Sequence, residues 1–340
     1  MGADLLLAGT AALICRDTTH ADLLDELATT LEARGVEIFR VPAAPPGEKL
    51  LLDPAWIGQQ LARSDLIVPT IRHLCTRETL LAAPRLKGIC FPTIGVESLD
   101  LTAATELGLP VGHGATEENW TGMAEATILL ILALLYDLAG VTRVLRDRLP
   151  RPQPLLGRQL AGKTVGLIGY GRIARAVAAR LTAFDVELLA HSPSREPGSV
   201  SEGVSFTSLE DLLRRSDVVV VLVSINPASR GLLNGARLGL MKPSAVLVNT
   251  ARGEAIEEAA LVQVLRERRI AGAALDSFEV EPPPADSPLR ALDNVILTPH
   301  LIGHTRESAE SFRPALLENA VRILRGEAPL ICRNPEVMVR

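Results

Sequence analysis

Residues 164–174 read Thr164-Val-Gly-Leu-Ile-Gly-Tyr-Gly-Arg-Ile-Ala174, an apolar run that leads into a glycine-rich turn. The run before Gly169 is typical of a buried parallel strand, and the alanine-rich residues after Ala174 favour a helix. Gly169, Gly171 and Ala174 therefore have the spacing G-x-G-x-x-A between a strand and a helix. This pattern predicts a turn that binds a dinucleotide pyrophosphate at the helix N-terminus. A tight strand-to-helix turn without a ligand has the same spacing.

The composition limits the class of protein. A chain of 340 residues with 47% hydrophobic and 22% charged residues is long enough for about two globular domains. A net charge of −5 and an aromatic content of 3% provide neither a basic surface nor stacking platforms, so we expect no nucleic-acid partner. No C-x-x-C pair occurs, and we expect no metal site. The cysteines predict reduced thiols of a cytoplasmic protein and are Cys15, Cys75, Cys90 and Cys332.

Two apolar segments are not expected to enter a membrane. Residues 1–7 carry Asp4 where a signal peptide has basic residues, so we predict a first strand there. The most apolar stretch, Ala126–Tyr136, is shorter than the roughly 20 residues that span a bilayer, and Glu125 and Asp137 bracket it. We expect a helix that is buried on all sides, and a subunit interface is one way to bury it.

Strands and helices alternate along both halves of the chain. Residues 1 to about 110 form a βα series, which predicts a parallel sheet with helices on both faces. A long helix, 120–148, is predicted to lead into the second half, and a helix at 307–325 to follow its last strand. The second half begins at the glycine turn and resembles a Rossmann domain in its six predicted strands, 165–168, 186–190, 218–223, 245–249, 273–276 and 295–298.

Three polar clusters follow strands of the second half, where ligands of open α/β sheets bind. Each alone also fits a surface arginine, a solvated acidic loop or a capping histidine. Together they provide a cation for a carboxylate, an imidazole that can protonate a carbonyl oxygen, and a carboxylate that orients the imidazole. This set predicts hydride transfer to a 2-keto acid. The clusters are Asn249-Thr-Ala-Arg252-Gly253, Asp276-Ser-Phe-Glu-Val-Glu281-Pro282 and Thr298-Pro-His300-Leu-Ile-Gly303.

The chain resembles the D-isomer-specific 2-hydroxyacid dehydrogenase family over almost its whole length. The segments 241–253, 272–282 and 294–300 are similar to family signatures, in family order and at family spacing. The resemblance implies that Arg252 binds the substrate carboxylate and carbonyl, that His300 is the acid/base, and that Glu281 is its partner. It also implies a Rossmann domain, residues 113–303, inserted into a smaller flavodoxin-like α/β substrate domain of residues 1–112 and 304–340.

Further roles follow from the same resemblance. Asp276 is expected to contact the nicotinamide carboxamide, and the segment Ile94-Gly95-Val96 to meet the substrate carboxylate. Arg72 and His73 lie in a loop that faces the site in family members, so we expect them to contact the far end of the substrate. Family members pair through their cofactor domains, which predicts a homodimer.

Departures from the family pattern leave the substrate open. Thr116-Glu117 replaces a usual Pro-Gly, Ser224 replaces a frequent proline, and Trp120 and His304 are unusual. Glyoxylate, hydroxypyruvate or a larger 2-keto acid all fit. One alternative is a formate- or phosphite-type dehydrogenase of the same fold, although formate enzymes carry Gln where Glu281 stands. Another is a non-enzymatic dinucleotide-sensing protein that resembles the corepressors built on this fold.

The cofactor is expected to be NAD(P)H. NAD sites of this kind have an acidic residue at the end of the second strand, and Ser192 occupies that position here. Arg195 is near enough in sequence to pair with a 2′-phosphate. We therefore predict a weak preference for NADPH, while an Arg195 that points to solvent would leave the site open to both cofactors. The full predicted set of cofactor-binding residues is Gly169, Gly171, Arg172, Ile173, Ser192, Arg195, Val223, Thr250, Asp276 and Gly303.

Overall fold

A computed structural model describes residues 7–18, 20–45, 48–150 and 157–339. The chain forms two compact units, one of Met1–Glu118 with Arg306–Arg340 and one of Asn119–Thr305. The predicted boundaries, 112/113 and 303/304, lie slightly earlier in the chain. Residues 113–118 belong to the first unit because they pack on its C-terminal segment. Gly114 lies against the Phe312 ring, and the Thr116 and Ser311 hydroxyls are 2.8 Å apart.

The first unit is an α/β sandwich around a five-stranded parallel sheet. Its strand order, β2-β1-β4-β6-β7, is the flavodoxin-like order 2-1-3-4-5 once the separate pair β3–β5 is set aside. The central strands are buried on both faces, as their apolar sequences require. The strands are β1 (Ala11–Cys15), β2 (Glu37–Val41), β3 (Leu50–Leu51), β4 (Leu66–Val68), β5 (His73–Leu74), β6 (Gly88–Cys90) and β7 (Val111–Gly112).

Helices cover both faces of this sheet. The first helix buries a stripe of Leu24, Leu27 and Leu31 at helical spacing against the sheet. The helix after the last strand of the second unit returns to this core through Leu316 and Ile323. The helices of this unit are α1 (Ala21–Glu32), α2 (Pro54–Arg63), α3 (Arg77–Leu81), α4 (Leu101–Glu106) and, after the second unit, α11 (Arg306–Leu324).

The second unit contains an eight-stranded sheet of Rossmann type. Its order is β10-β11-β9-β8-β12-β13-β14-β15, and every pair is parallel except β10–β11. Without the edge strand β10, this is the order 3-2-1-4-5-6 extended by one strand. The strands are β8 (Thr164–Ile168), β9 (Glu187–His191), β10 (Val200–Ser201), β11 (Val204–Phe206), β12 (Val218–Val221), β13 (Val246–Asn249), β14 (Gly272–Leu275) and β15 (Val295–Leu297).

The helices of the second unit begin with α5, whose first two residues lie in the first unit. They are α5 (Glu117–Leu135), α6 (Leu138–Arg146), α7 (Arg172–Leu181), α8 (Leu209–Arg215), α9 (Gly235–Leu238) and α10 (Glu258–Arg266). Short 3-10 turns are Thr182–Phe184, Gly253–Ala255 and Pro288–Ala291, with Pro335–Val339 in the first unit.

The prediction of one long helix over 120–148 is wrong. Asp137 has φ 46°, in the left-handed region, and its carboxylate accepts a hydrogen bond from the Gly140 N–H at 3.1 Å. This side chain caps a new helix, so α5 ends and α6 begins there. Within one chain the segment Ala126–Tyr136 is not buried on all sides, because Leu129 and Tyr136 are each 51% exposed. Burial of this exposed face in a subunit interface stays a prediction.

By length and composition, α5 is the one helix among the described residues that could cross a membrane, and 56% of its most apolar window is buried inside the structure.

The hairpin β10–β11 was not predicted. Its turn uses Glu202 and Gly203 at positive φ, and its strands are only two and three residues long. The strand predicted for residues 1–7 lies, except for Leu7, outside the described residues.

Candidate active site

The glycine turn joins β8 to α7 with backbone geometry that requires its first glycine. Gly169 has φ +98°, and a Cβ there would lie 2.7 Å from the Leu222 carbonyl oxygen. Gly171 is the N-cap of α7, and a Cβ there would meet nothing within 4 Å. Open space therefore adjoins the backbone at the start of this helix. That opening, with N–H groups at the helix end, fits the pyrophosphate of a dinucleotide.

The remaining residues predicted around the cofactor lie in loops of the same unit or on the first turn of α7. Val223 lies beside the glycine turn, because its backbone N would be 3.1 Å from a Cβ on Gly169. The Thr250 hydroxyl lies 3.0 Å from that of Thr127 on α5. Gly303 packs so closely on Met123 of α5 that a Cβ would overlap its sulfur. Arg172 and Ile173 are the first two residues of α7.

The end of β9 carries the two residues predicted to select the cofactor. The Ser192 hydroxyl lies 3.1 Å from that of Ser194, and the Ser192 carbonyl accepts a hydrogen bond from the Arg195 N–H at 3.1 Å. The Arg195 guanidinium stacks over the Phe206 ring, 5.6 Å from its centroid. Phe206 belongs to β11, so the unpredicted strand holds the cation at the end of β9.

Arg252 is placed by the loop that follows β13. The Asn249 side chain accepts a hydrogen bond from the Ala251 N–H and donates one to the Arg252 carbonyl, both at 3.0 Å. The next residue, Gly253, touches the backbone after β14, since a Cβ would lie 1.9 Å from the Phe278 carbonyl carbon. The loops carrying Arg252 and Glu281 are therefore in direct contact, and a side chain at position 253 would separate them.

Asp276 is a buried anchor for the loop that carries His300. It is 2% exposed, and its Oδ1 accepts hydrogen bonds from the Thr298 hydroxyl at 2.7 Å and from the N–H groups of Leu301 and Ile302 at 3.2 and 3.3 Å. The bonded residues precede and follow His300 in the chain, so Asp276 holds the loop on both sides of this histidine. A contact between Asp276 and the nicotinamide stays a prediction, and the anchoring was not foreseen from the sequence.

His300 and Glu281 form a hydrogen-bonded pair. The His300 Nδ1 lies 2.8 Å from the Glu281 Oε2, while the Glu281 Oε1 accepts a bond from the Phe278 N–H at 3.0 Å. His300 has φ 58°, a left-handed conformation that is uncommon for residues other than glycine and occurs often at functional sites. The bond fixes the imidazole so that Nε2 is left for proton exchange with a substrate.

The charge state of Glu281 is set by opposing effects. Burial raises the pKa of this carboxyl, but the hydrogen bond and charge of His300, the Phe278 N–H and the charge of Arg252 together hold the pKa below its usual range. Glu281 is therefore a carboxylate at neutral pH and can accept a hydrogen bond from the His300 Nδ1. The cation, the carboxylate and the imidazole predicted from three separate motifs thus interact within one unit.

The predicted substrate residues of the first unit lie in loops after its strands. Arg72 belongs to a tight turn in which the His73 N–H donates to the Thr70 carbonyl at 2.9 Å. His73 itself is buried and bonded to the Thr70 hydroxyl and the Pro42 carbonyl. The segment Ile94-Gly95-Val96 follows β6, where the Thr93 hydroxyl donates to the Gly95 carbonyl at 2.8 Å. Their contacts with a substrate stay predictions.

Two further chemical features bear on the class of site. Within the described ranges, no group of three or more His, Cys, Asp and Glu side chains could hold a metal ion. The four cysteines are free thiols, and Cys15, Cys75 and Cys90 are buried. Burial raises the pKa of Cys75 to about 12, so this thiol is protonated and unreactive at neutral pH.

Comparison with known proteins identifies a matching family and similar structures. Residues 128–301 match the family described as D-isomer specific 2-hydroxyacid dehydrogenase, NAD binding domain. A glyoxylate reductase of Thermofilum pendens is 36% identical over 302 residues, which cover 86% of each chain. The solved glyoxylate reductase of Paecilomyes thermophila superposes with a TM-score of 0.82 at 26% identity, covering 96% of this chain and 99% of the other.

A second solved structure shows a related cofactor complex. An acyclic imino acid reductase in complex with NADPH and D-arginine superposes with a TM-score of 0.79 at 26% identity. The match covers 95% of this chain and 99% of that enzyme.

Proposed function

We propose that this chain, which belongs to the D-isomer specific 2-hydroxyacid dehydrogenase family, reduces a small 2-keto acid such as glyoxylate or hydroxypyruvate. As a family member it is an NAD(P)-dependent oxidoreductase. The observation that carries the proposal is the hydrogen bond of 2.8 Å between His300 and the Glu281 carboxylate. The positive charge of Arg252 also lowers the pKa of this carboxyl. Relatives named glyoxylate reductase support the choice of a small keto acid.

The chemistry assigns a separate role to each residue. Arg252 binds the substrate carboxylate through its planar guanidinium and so holds the keto acid in one orientation. A bound reduced nicotinamide supplies the hydride for the carbonyl carbon. His300 donates the proton from Nε2 to the carbonyl oxygen as negative charge develops there. Glu281 accepts the Nδ1 hydrogen bond and stabilises the imidazolium before the proton leaves. In the oxidising direction His300 takes the proton back.

The test is turnover by the purified chain with a panel of 2-keto acids and each reduced cofactor. We expect oxidation of NADH or NADPH with glyoxylate or hydroxypyruvate, and a loss of about 10² to 10⁴ in kcat for His300→Ala, the usual contribution of a general acid. The variant should bind cofactor as the parent does. No keto-acid-dependent oxidation by the parent, or full turnover by His300→Ala, would contradict the proposal.

The cofactor preference proposed is for NADPH. Residues 192–195 contain no carboxylate to repel a 2′-phosphate, and the Ser192 hydroxyl can donate a hydrogen bond to one. The Arg195 guanidinium, stacked on Phe206, presents its N–H donors at the same strand end. We also propose that the chain forms a homodimer, since family members pair through the domain that contains α5. We propose that it acts in the cytoplasm.

A further inference from the structure

Trp120 and Arg172 form a stacked pair at the start of α7. The Arg172 guanidinium lies over the Trp120 ring, 5.2 Å from its centroid, within the range of a cation–π interaction. Arg172 is exposed, and this ring is its guanidinium's one partner within the part of the chain that the structure describes. The arginine's hydrogen-bond donors are therefore unused, while its plane is held by an aromatic face.

The position of Arg172 gives this pair a function. Arg172 is the first residue of α7 and follows Gly171, where the backbone faces open space. Side chains at a helix start tilt back toward the N-terminus, so the guanidinium lies on the side of the glycine turn. Stacking occupies the face of the guanidinium and leaves its edge donors available for phosphate oxygens.

Trp120 lies on the first turns of α5, a helix that packs on α7. One turn further along α5, Ala124 is fully buried in the same core as Ala174 and Val177 of α7. Glu125 on α5 lies 3.8 Å from Arg180 on α7. Both contacts place α5 beside α7, so the helix that carries the Trp120 ring packs on the helix that begins with Arg172.

We propose that Trp120 is a positioning residue for the cofactor pyrophosphate, acting through Arg172. The ring restricts the arginine to the side of the open glycine turn, so less side-chain freedom is lost when the guanidinium meets the pyrophosphate. This inference depends on nicotinamide cofactor binding and not on the identity of the keto acid.

A double-mutant cycle on cofactor binding tests the proposal, with dissociation constants measured by titration calorimetry without keto acid. Trp120→Leu keeps apolar volume but removes the ring, and we expect Kd to rise about two- to five-fold, the range of an exposed cation–π pair. Trp120→Phe should restore part of the loss. In an Arg172→Gln background, Trp120→Leu should change Kd no further, because the group on which it acts is gone.

Opposite results would overturn the inference. An unchanged Kd in Trp120→Leu would show that the ring does not position Arg172. An equal rise in Kd with and without Arg172 would show a structural effect that is independent of the arginine. If Trp120→Leu does not fold, the cycle is run with Trp120→Phe, which keeps a weaker aromatic face. If the double-mutant cycle gives the expected Kd values but the parent does not turn over a keto acid, only the proposed substrate is refuted.

Intrinsic fluorescence provides a second readout. The chain has two tryptophans, and Trp56 lies on α2 of the other unit, 46% exposed. In a Trp56→Phe variant the emission comes from Trp120 alone. Oxidised cofactor should change this emission, and Arg172→Gln should reduce the change. An emission unaltered by saturating cofactor would contradict a position beside the pyrophosphate.

Discussion

Glu281→Gln is the substitution that examines the acid/base pair most closely. It keeps an oxygen near His300 Nδ1 but removes the charge that favours the imidazolium. Both side chains are more than a third exposed, at 39% for His300 and 37% for Glu281, so the interaction is close to that in water. Coulomb's law at 2.8 Å and a dielectric constant of 80 gives about 1.5 kcal/mol. Measured exposed pairs contribute about 0.2–1 kcal/mol because of screening and side-chain entropy.

These limits convert into a shift of the pH profile. Since 1.36 kcal/mol corresponds to about one pH unit, we expect the high-pH limit of keto acid reduction to move down by about 0.2 to one unit. The sign follows from the reaction, because reduction needs protonated His300 and the variant stabilises that form less. A lower kcat should accompany the shift, since the amide can also donate a hydrogen bond and favour the wrong imidazole tautomer.

The assay is kcat/KM for keto acid reduction across the pH range, with saturating cofactor. Glu279→Gln is the matched control, since Glu279 is an exposed carboxylate two residues away. Glu281→Asp keeps the charge and should retain more of the parent profile. A Glu281→Gln profile superimposable on that of the parent, or an equal shift in Glu279→Gln, would refute the role of the pair.

Glu281 also determines how the stability of the folded chain depends on acid pH. Because its pKa is lowered in the folded chain, its contribution to stability is present above the usual range of a glutamate. This contribution is lost as the pH falls through the lowered pKa. The pairing with His300 should therefore persist to mildly acidic pH and weaken below the ordinary range of a glutamate pKa.

The remaining predictions concern substrate, cofactor and assembly. Arg252→Lys keeps the charge but loses the planar fork, so KM for the keto acid should rise and kcat fall with cofactor Kd nearly unchanged; equal losses for both ligands would assign the arginine another role. Ser192→Asp should shift kcat/KM toward NADH, and Arg195→Ala should weaken NADPH more than NADH; a parent that clearly prefers NADH would refute the proposed NADPH preference. Sedimentation at micromolar concentration should show a dimer, since Leu129 on α5 is exposed and apolar, and a monomer would reject that assembly.

The fold was largely predictable because its signals are local. Apolar runs predicted the central strands, and the G-x-G-x-x-A spacing predicted the positions of β8 and α7. The break at Asp137 had a usable signal, an N-cap residue inside the apolar pattern. The hairpin β10–β11 did not, because two- and three-residue strands are defined by pairing with β9 and leave little periodicity.

The site was predictable in its residue types but not in its supporting contacts. His300, Glu281 and Arg252 stood out because charged groups follow successive parallel strands. The anchoring by Asp276 and the stacking of Arg172 on Trp120 depend on packing between elements far apart in sequence. Gly253 appeared in a family motif, yet the need for glycine there arises only from the approach of the Phe278 backbone.

The most direct test of the proposed reaction follows the hydride itself. The chain is supplied with reduced cofactor deuterated at C4 of the nicotinamide, on the face whose hydrogen is transferred, together with hydroxypyruvate, and the product is analysed by NMR and chiral chromatography. Hydride transfer with proton donation by His300 predicts a D-2-hydroxy acid with deuterium at C2, formed at least about 100-fold more slowly by His300→Ala. A product without deuterium at C2, or of the L configuration, would contradict it.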